Sequence, residues 1–91
     1  MPEQPGFSCS LVSPLTHLRF DSVTALVVHA TTGELGILAG HTPTVASLSS
    51  ESTVRATTPD AVRSFRIGAS SFLKFDNGEA VILTSEFTEE A

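Results

Sequence analysis

The chain has no tryptophan, no tyrosine, only one cysteine and only five basic residues in a length of 91. Because those aromatic types are missing, six phenylalanines are the large fillers of a core that otherwise consists of valine, leucine and isoleucine. The single cysteine, Cys9, excludes an internal disulfide. Its place in a strand-like alternation predicts a buried apolar residue and not a reactive thiol.

Basic residues are too few to balance the acidic ones, and the formal net charge is −5. Nucleic acid or an anionic membrane surface would require a basic patch, so neither is expected as the main partner. The sequence has no apolar run of the ~18 residues that a membrane span needs. Residues 1–6 lack the basic and apolar regions of a signal peptide. We therefore expect a soluble, cytoplasmic protein.

The length suits one domain, which buries roughly 60 to 65% of the surface of the unfolded chain. An apolar fraction of 41% is enough for a core. We predict a flexible N-terminus over residues 1–6, a single domain over 7–85, and a short acidic C-terminal stub over 86–91. Glu86, Glu89 and Glu90 place three negative charges in that stub.

Strand patterns extend over almost the whole sequence. Phe7, Cys9 and Leu11 alternate with small polar residues, which predicts one apolar strand face. The stretch Val23–Ala30 is rich in β-branched residues and nearly continuous, so it is predicted to be a central strand.

Two hairpins are indicated by turn residues, one around Thr58-Pro59-Asp60 and one around Asn77-Gly78. Turn signals every ~8 to 12 residues favour an all-β fold. We predict an antiparallel β-sandwich or flattened barrel of many short strands, without helices.

The most informative stretch runs from Gly33 to Pro43, with the sequence Gly-Glu-Leu-Gly-Ile-Leu-Ala-Gly-His-Thr-Pro. It combines three glycines, a proline, one carboxylate and one imidazole with a short apolar centre. This composition is too irregular for a helix and predicts a structured loop that contains a short strand. Gly33 and Gly36 are expected to allow backbone conformations that are costly for other residues.

That stretch resembles the pattern Gly-Glu-x-Gly-Ile-Leu-x-x-His-x-Pro of the epsilon subunit of F-type ATP synthases, which is the delta subunit in mitochondria. The resemblance extends from about Phe7 to Thr84, the N-terminal β-sandwich domain of the family. Phe7–Pro14 looks like the first strand of the family, and Phe20-Asp21-Ser22-Val23 occupies the place of its usual Phe-x-Gly-x step.

Two departures from the family pattern are visible. Ser70 and Ser71 replace the glycines of a Gly-Gly-Phe segment, which predicts a less sharply bent strand. Family members usually continue into a helical hairpin that can block ATP hydrolysis and in some members binds ATP, whereas this sequence ends at Ala91. From that difference we expect a subunit that couples rotation without braking hydrolysis.

The resemblance implies a mechanical function: a central-stalk subunit that clamps gamma to the c ring, transmits ion-driven rotation, performs no catalysis and needs no cofactor. It would lie on the cytoplasmic side of the cell membrane, as a peripheral part of the complex. The resemblance also implies two contact surfaces and a shaped loop. The c-ring contact would consist of Glu34, Leu35 and Gly36, the gamma contact of Ser13, His41, Thr42, Pro43 and Ala46, and the loop would be shaped by Gly33 and Gly40.

Simpler interpretations exist for each of these residues. Glu34 could be an ordinary solvated carboxylate, Ser13 a turn-capping hydroxyl, and His41 a hydrogen-bonded loop residue. His17, His29 and His41 do not have the close spacing of metal ligands, so no metal site is expected. No serine lies in a nucleophile-elbow pattern. Two other functions stay open at this point: an unrelated small β-sandwich binding module, and a small enzyme that uses His41.

Overall fold

The structure is a computed structural model that describes residues 6–90, and every element in this part is a strand. The predicted all-β fold is therefore confirmed. Most of the predicted flexible N-terminus lies outside the described residues. The ten strands are β1 (Phe7–Val12), β2 (His17–Val23), β3 (Ala25–Ala30), β4 (Gly33–Leu38), β5 (Thr44–Leu48), β6 (Thr53–Thr57), β7 (Val62–Ile67), β8 (Ser71–Asp76), β9 (Glu79–Leu83) and β10 (Phe87–Glu90).

Both predicted hairpins are present. β8 and β9 pair antiparallel around Asn77 and Gly78, whose φ angles are 54° and 72°. Positive φ at both central residues gives a backbone twist that matches the twist of the flanking strands. β6 and β7 also pair antiparallel, and the turn between them is closed by Thr58, whose main-chain N–H and hydroxyl both donate to the Ala61 carbonyl.

The strands form two layers joined through β3. One layer has the order β4-β3-β6-β7-β10, and the other has the order β5-β8-β9-β1-β2. β3 pairs with β4 along one edge, while its other edge pairs with β6 and, at Ala30, with Leu48 of β5. At the far edges the layers face each other, since the Phe20 ring of β2 stacks on the Phe65 ring of β7 with centroids 5.8 Å apart. All pairings are antiparallel except that of β1 with β9.

The core lies between the two layers and follows the alternation of the strands. In β1, Phe7, Cys9 and Leu11 are buried, as predicted from the sequence, and Phe75 of β8 packs edge-on against Phe7 with centroids 5.2 Å apart. Removing these apolar surfaces from water supplies the main driving force for folding. The fully buried residues with the largest side chains are Phe65, Leu11, Leu26, Ile37, Ile67, Leu73 and Ile82.

The structure corrects two predicted boundaries. The stretch Val23–Ala30 is not one strand: Val23 ends β2, and β3 begins at Ala25 after Thr24, whose N–H and hydroxyl both donate to the Thr57 carbonyl. The predicted domain end at residue 85 also moves, because Phe87–Glu90 of the acidic segment form β10 and pair with β7. Ion pairs hold that edge: Arg63 contacts Glu89 at 2.8 Å and Arg66 contacts Glu90 at 3.4 Å.

Two serines that stand in glycine positions of the family pattern adopt left-handed backbone conformations. Ser22 has φ 63° and Ser70 has φ 58°. Ser70, directly before β8, thus keeps a backbone conformation that glycine adopts more readily. The left-handed region costs an L-residue roughly 1 to 2 kcal/mol relative to glycine, so both sites carry backbone strain.

Ser71, the second of the two serines before Phe72, has a different role. It is buried, and its hydroxyl lies 2.8 Å from both the Gly68 carbonyl and the Thr84 hydroxyl. Thr84 in turn donates to the Glu86 carbonyl at 3.0 Å and accepts from the Gly68 N–H at 3.1 Å. This network joins the start of β8 to the segment before β10, so the hydroxyl of Ser71 supplies hydrogen bonds that glycine could not.

Candidate functional site

Glu34 lies on the outer surface of the β4-β3-β6-β7 layer, here named the β4 face. It is the second residue of β4, directly after the β3–β4 turn at Thr31-Thr32 and Gly33. Its neighbour across the ladder is His29, and both side chains are exposed. A carboxylate in this position is fixed by a strand backbone, so its place is better defined than that of a loop charge.

The β4 face is ordered in rows across its strands, since paired residues lie side by side. A polar row contains Glu34 and His29, and a parallel row three strands wide contains Gly36, Val27 and Arg55. The opposite end of the face is more apolar. That end is formed by Leu38, Ala25, Thr57 and Val62, of which Leu38 is 61% and Val62 57% exposed.

The fold does not explain why residue 36, on this face, is a glycine. Its φ lies outside the left-handed region, and a Cβ built on it would meet no heavy atom within 4 Å. The expectation of a conformation costly for other residues is therefore wrong for Gly36, although it holds for Gly33, with φ 136°. Glycine inside a strand weakens it and often marks a place where another backbone approaches closely.

Leu35 is the one predicted c-ring residue whose side chain does not reach the β4 face. It lies between Glu34 and Gly36 in β4, so its side chain points to the other surface, where it packs against the core. The period of two residues along a strand requires this separation. The structure thus brings Glu34 and Gly36 together on one surface and removes Leu35 from it.

His41 shapes the loop between β4 and β5. Its main-chain N–H donates to the Leu38 carbonyl at 3.0 Å. Its ring Nδ1 lies 2.7 Å from the Thr42 carbonyl, which can only accept, so Nδ1 carries the proton and donates. The Thr44 hydroxyl donates to the same carbonyl at 2.9 Å. Gly40, with φ 86°, lets the chain enter this loop. These contacts fit a loop-building histidine better than a general base.

Ser13 closes the turn between β1 and β2. Its hydroxyl accepts from the Thr16 N–H at 3.1 Å, and its own N–H donates to the Thr16 carbonyl at 2.8 Å. The nearby cleft has a volume of about 390 Å³ and is lined mainly by Val12, Pro14, Leu83 and other residues of the same end. The geometry therefore matches the turn-capping interpretation and also places Ser13 beside an apolar hollow.

The residues predicted to contact gamma do not form one cluster. The loop His41-Thr42-Pro43 precedes Thr44, which pairs with Phe75 at one end of β8, whereas the cleft at Ser13 includes Ser70, Leu83 and Thr84 at the other end. Those ends are about four residues apart along the strands, or roughly 13 Å. Ala46 lies between them, but it is half-buried and packs against the core.

Sequence reasoning missed the apolar surface that joins these two ends. Val45, Phe72 and Leu83 point outward from the β5-β8-β9 sheet and are 77%, 48% and 51% exposed. Leu15, in the turn after Ser13, is 96% exposed. The signal was present, since Phe72 alternates with the inward residues Ser71 and Leu73, but its outward direction depends on the register of β8.

Two observations in this part of the molecule concern metal ligands and the single thiol. Across residues 6–90, no group of three or more His, Cys, Asp or Glu side chains is close enough to hold a metal ion. Cys9 is fully buried, and burial raises the pKa of its thiol to about 12. The thiolate, which is the reactive form, is therefore scarce at neutral pH.

The sequence matches the family model of the β-sandwich domain of the ATP synthase delta/epsilon chain over residues 6–90. The chain belongs to this family. The match includes β10, in agreement with the pairing of that strand in the sheet. No curated protein matches the chain by sequence. In the described part, no helix has the length and apolar character needed to cross a membrane.

Two solved ATP synthases contain chains of similar fold. The first is in the cryo-EM structure of the Euglena gracilis mitochondrial ATP synthase with its c ring, with TM-score 0.79, 22% identity and 89% of this chain covered. The second is in the central stalk and c ring of the Tetrahymena thermophila mitochondrial ATP synthase, with TM-score 0.72, 10% identity and 89% covered. This delta/epsilon-type chain spans 51% and 64% of those two chains.

Proposed function

We propose that this protein is a central-stalk subunit of an F-type ATP synthase that links gamma to the c ring and transmits ion-driven rotation toward the catalytic head. Its role is mechanical and not catalytic, and it acts on the cytoplasmic side of the cell membrane as a peripheral component. Membership of the delta/epsilon family supports the assignment to the complex. The features of the β4 face support the contact with the ring.

The observation that carries the proposal is that Gly36 and Glu34 lie two residues apart on one exposed surface. The fold does not require glycine at residue 36, because its backbone is ordinary and the space beside it is open. A strand interior without a side chain lets a partner approach the backbone. Glu34, two residues away on the same face, supplies a charge that fixes the orientation of a basic loop. We infer that a polar loop of the c ring is this partner.

Gamma is proposed to contact the other sheet. The exposed Val45, Phe72 and Leu83 connect the Ser13 turn with the His41 loop, so a partner that touches both ends would cover them. Exposed apolar side chains gathered on one sheet face are typical of a protein interface. In this arrangement the two layers of the sandwich bind different rotor parts, which suits a subunit that connects them.

The test of the ring contact is a charge reversal at Glu34. We expect Glu34→Lys to weaken binding between purified c rings and an isolated complex of gamma with this subunit by about 1 to 2 kcal/mol. The loss should be larger at low salt, because the attraction between residue 34 and a basic loop becomes a repulsion. Binding would be measured by surface immobilisation of the rings at two salt concentrations.

Glu79→Lys is a matched control, since Glu79 is an exposed glutamate of β9 in the opposite layer and makes the same change of charge. The fold should survive both substitutions, which circular dichroism would verify. If Glu34→Lys bound rings as tightly as Glu79→Lys at low salt, Glu34 would not belong to the interface.

A further inference from the structure

A cleft of about 260 Å³ opens on the β4 face between oppositely charged side chains. Its lining residues are Val27, His29, Glu34, Thr53, Arg55 and Ser64. Arg55 and Glu34 stand on opposite sides of β3, two strands apart and two residues out of row, so their Cα atoms are roughly 12 Å apart. The cleft is therefore wide enough to admit a side chain between the two charges.

Arg55 is distinguished from the other arginines by its lack of an acidic partner. Within residues 6–90, Arg19, Arg63 and Arg66 each contact a carboxylate, whereas neither Arg55 nor Glu34 takes part in an ion pair. The chain carries ten acidic and five basic residues. A shortage of acidic side chains therefore does not explain why Arg55 has no carboxylate partner. Both charges of the cleft thus stay available to a partner.

We propose that Arg55 is a second anchor of the ring-binding surface and that it binds a carboxylate on the same polar protein loop that offers a basic group to Glu34. This inference rests on the proposed function and adds the chemistry of the partner: a loop with a basic and an acidic side chain spaced to match Glu34 and Arg55. The planar guanidinium of Arg55 suits a bidentate contact with a carboxylate. Gly36 lies beside the cleft, on the strand of Glu34 and in the row of Arg55, and lets the loop backbone come close.

A protein loop fits the cleft better than a lipid headgroup. The net charge of −5 repels an anionic bilayer. The apolar end of the face, with Leu38 and Val62 more than half exposed, continues the surface away from the charged cleft, as in an interface between two proteins. A zwitterionic headgroup would satisfy both charges of the cleft but would leave the open backbone of Gly36, beside the cleft, without a role.

The experiment measures the affinity of purified c rings for complexes of gamma with this subunit that carry Arg55→Glu, Arg55→Lys or Arg19→Glu. Arg19→Glu is the matched control, because Arg19 is a half-exposed arginine of β2 in the opposite layer, its surface ion pairs contribute little, and the change of charge is the same. Complexes are isolated before the measurement, so that only ring binding is compared. We expect Arg55→Glu to raise the Kd about tenfold at ~50 mM salt, with a smaller effect at ~500 mM, because salt screens the contact.

Arg55→Lys should keep the charge but lose the bidentate geometry, and we expect a Kd raised about threefold. Arg19→Glu should change the Kd by less than about twofold. If Arg55→Glu matched Arg19→Glu while Glu34→Lys still weakened binding, the proposed function would stand and Arg55 would not be an anchor. If the wild-type complex did not bind rings, both proposals would fail. Binding to ring-free zwitterionic vesicles that depended on Arg55 would assign the cleft to a lipid and overturn the proposal.

Discussion

Gly36→Ala should stabilise the fold and weaken binding of the subunit to the c ring. The backbone of Gly36 is ordinary, and the added Cβ meets no atom within 4 Å, so alanine fits without strain. Alanine restricts the unfolded chain more than glycine does, which raises the free energy of unfolding by about 0.4 to 1 kcal/mol. For a domain of this size the melting temperature should rise by roughly 2 to 8 °C.

Two other glycines give matched controls, because their replacement by alanine should lower the free energy of unfolding and not raise it. Gly33 has φ 136°, a region that is almost restricted to glycine, so Gly33→Ala should cost about 1 to 3 kcal/mol. At Gly68 a Cβ would lie 2.5 Å from the Ser85 hydroxyl and 2.9 Å from Cγ of Glu86, so Gly68→Ala forces both side chains to move and should also destabilise the fold.

Urea denaturation measures the stability of the three variants, and surface binding measures their affinity for c rings. We expect only Gly36→Ala to combine higher stability with weaker ring binding, by about tenfold or 1.4 kcal/mol, because the methyl group holds the partner backbone away. A destabilised Gly36→Ala would refute the structural argument. A stabilised variant with unchanged ring affinity would remove Gly36 from the contact.

Three further predictions concern the fold itself. Ser22→Gly and Ser70→Gly should each raise the free energy of unfolding by about 1 kcal/mol, since both serines have left-handed φ angles; urea curves that show destabilisation would contradict this. Ser71→Ala should lower the free energy of unfolding by about 1 to 3 kcal/mol, because the buried Gly68 carbonyl loses its donor, whereas Ser85→Ala, at an exposed neighbour, serves as its control in the same assay. The hydrogen bond and charge of Arg63 lower the pKa of Glu89. The stability that Glu89 adds is therefore present above the ordinary glutamate pKa and is lost as the pH falls through the lowered pKa. The difference in free energy of unfolding between wild type and Glu89→Gln should vanish in acid, and a difference that persists there would argue against the ion pair.

Local patterns predicted the parts of the fold that depend on local chemistry. Asn77 and Gly78 have the positive φ angles that their turn requires, and the buried set Phe7, Cys9 and Leu11 follows from a period of two residues. β10 could not be predicted in this way, because two of the four residues in Phe87–Glu90 are acidic and three are exposed. Its partners Arg63 and Arg66 lie in a strand more than twenty residues earlier, so the pairing is a property of the assembled sheet.

The candidate site shows the same division. The resemblance identified Glu34 and Gly36 as residues of one contact, and the structure places both on the β4 face. Alternation along β4 already places Leu35 on the opposite side of the strand from Glu34 and Gly36. Which side faces the core is known only once the pairing of β4 in the sheet is known. Arg55 reaches the site from β6 through the pairing of that strand with β3, and the separation of Ser13 from His41 depends on the strand order. Neither relation is visible in the sequence.

Site-specific crosslinking is the most direct test of the claim that the β4 face binds the c ring. The chain suits this method because its only cysteine, Cys9, is fully buried, and burial raises the pKa of its thiol to about 12. Glu34→Cys and Arg19→Cys would be labelled with a photoreactive maleimide, assembled with gamma and c rings, and irradiated. The proposed arrangement predicts crosslinks to the ring subunit from Glu34→Cys and none from Arg19→Cys, which lies in the opposite layer. Ring crosslinks from Arg19→Cys, with none from Glu34→Cys, would contradict it.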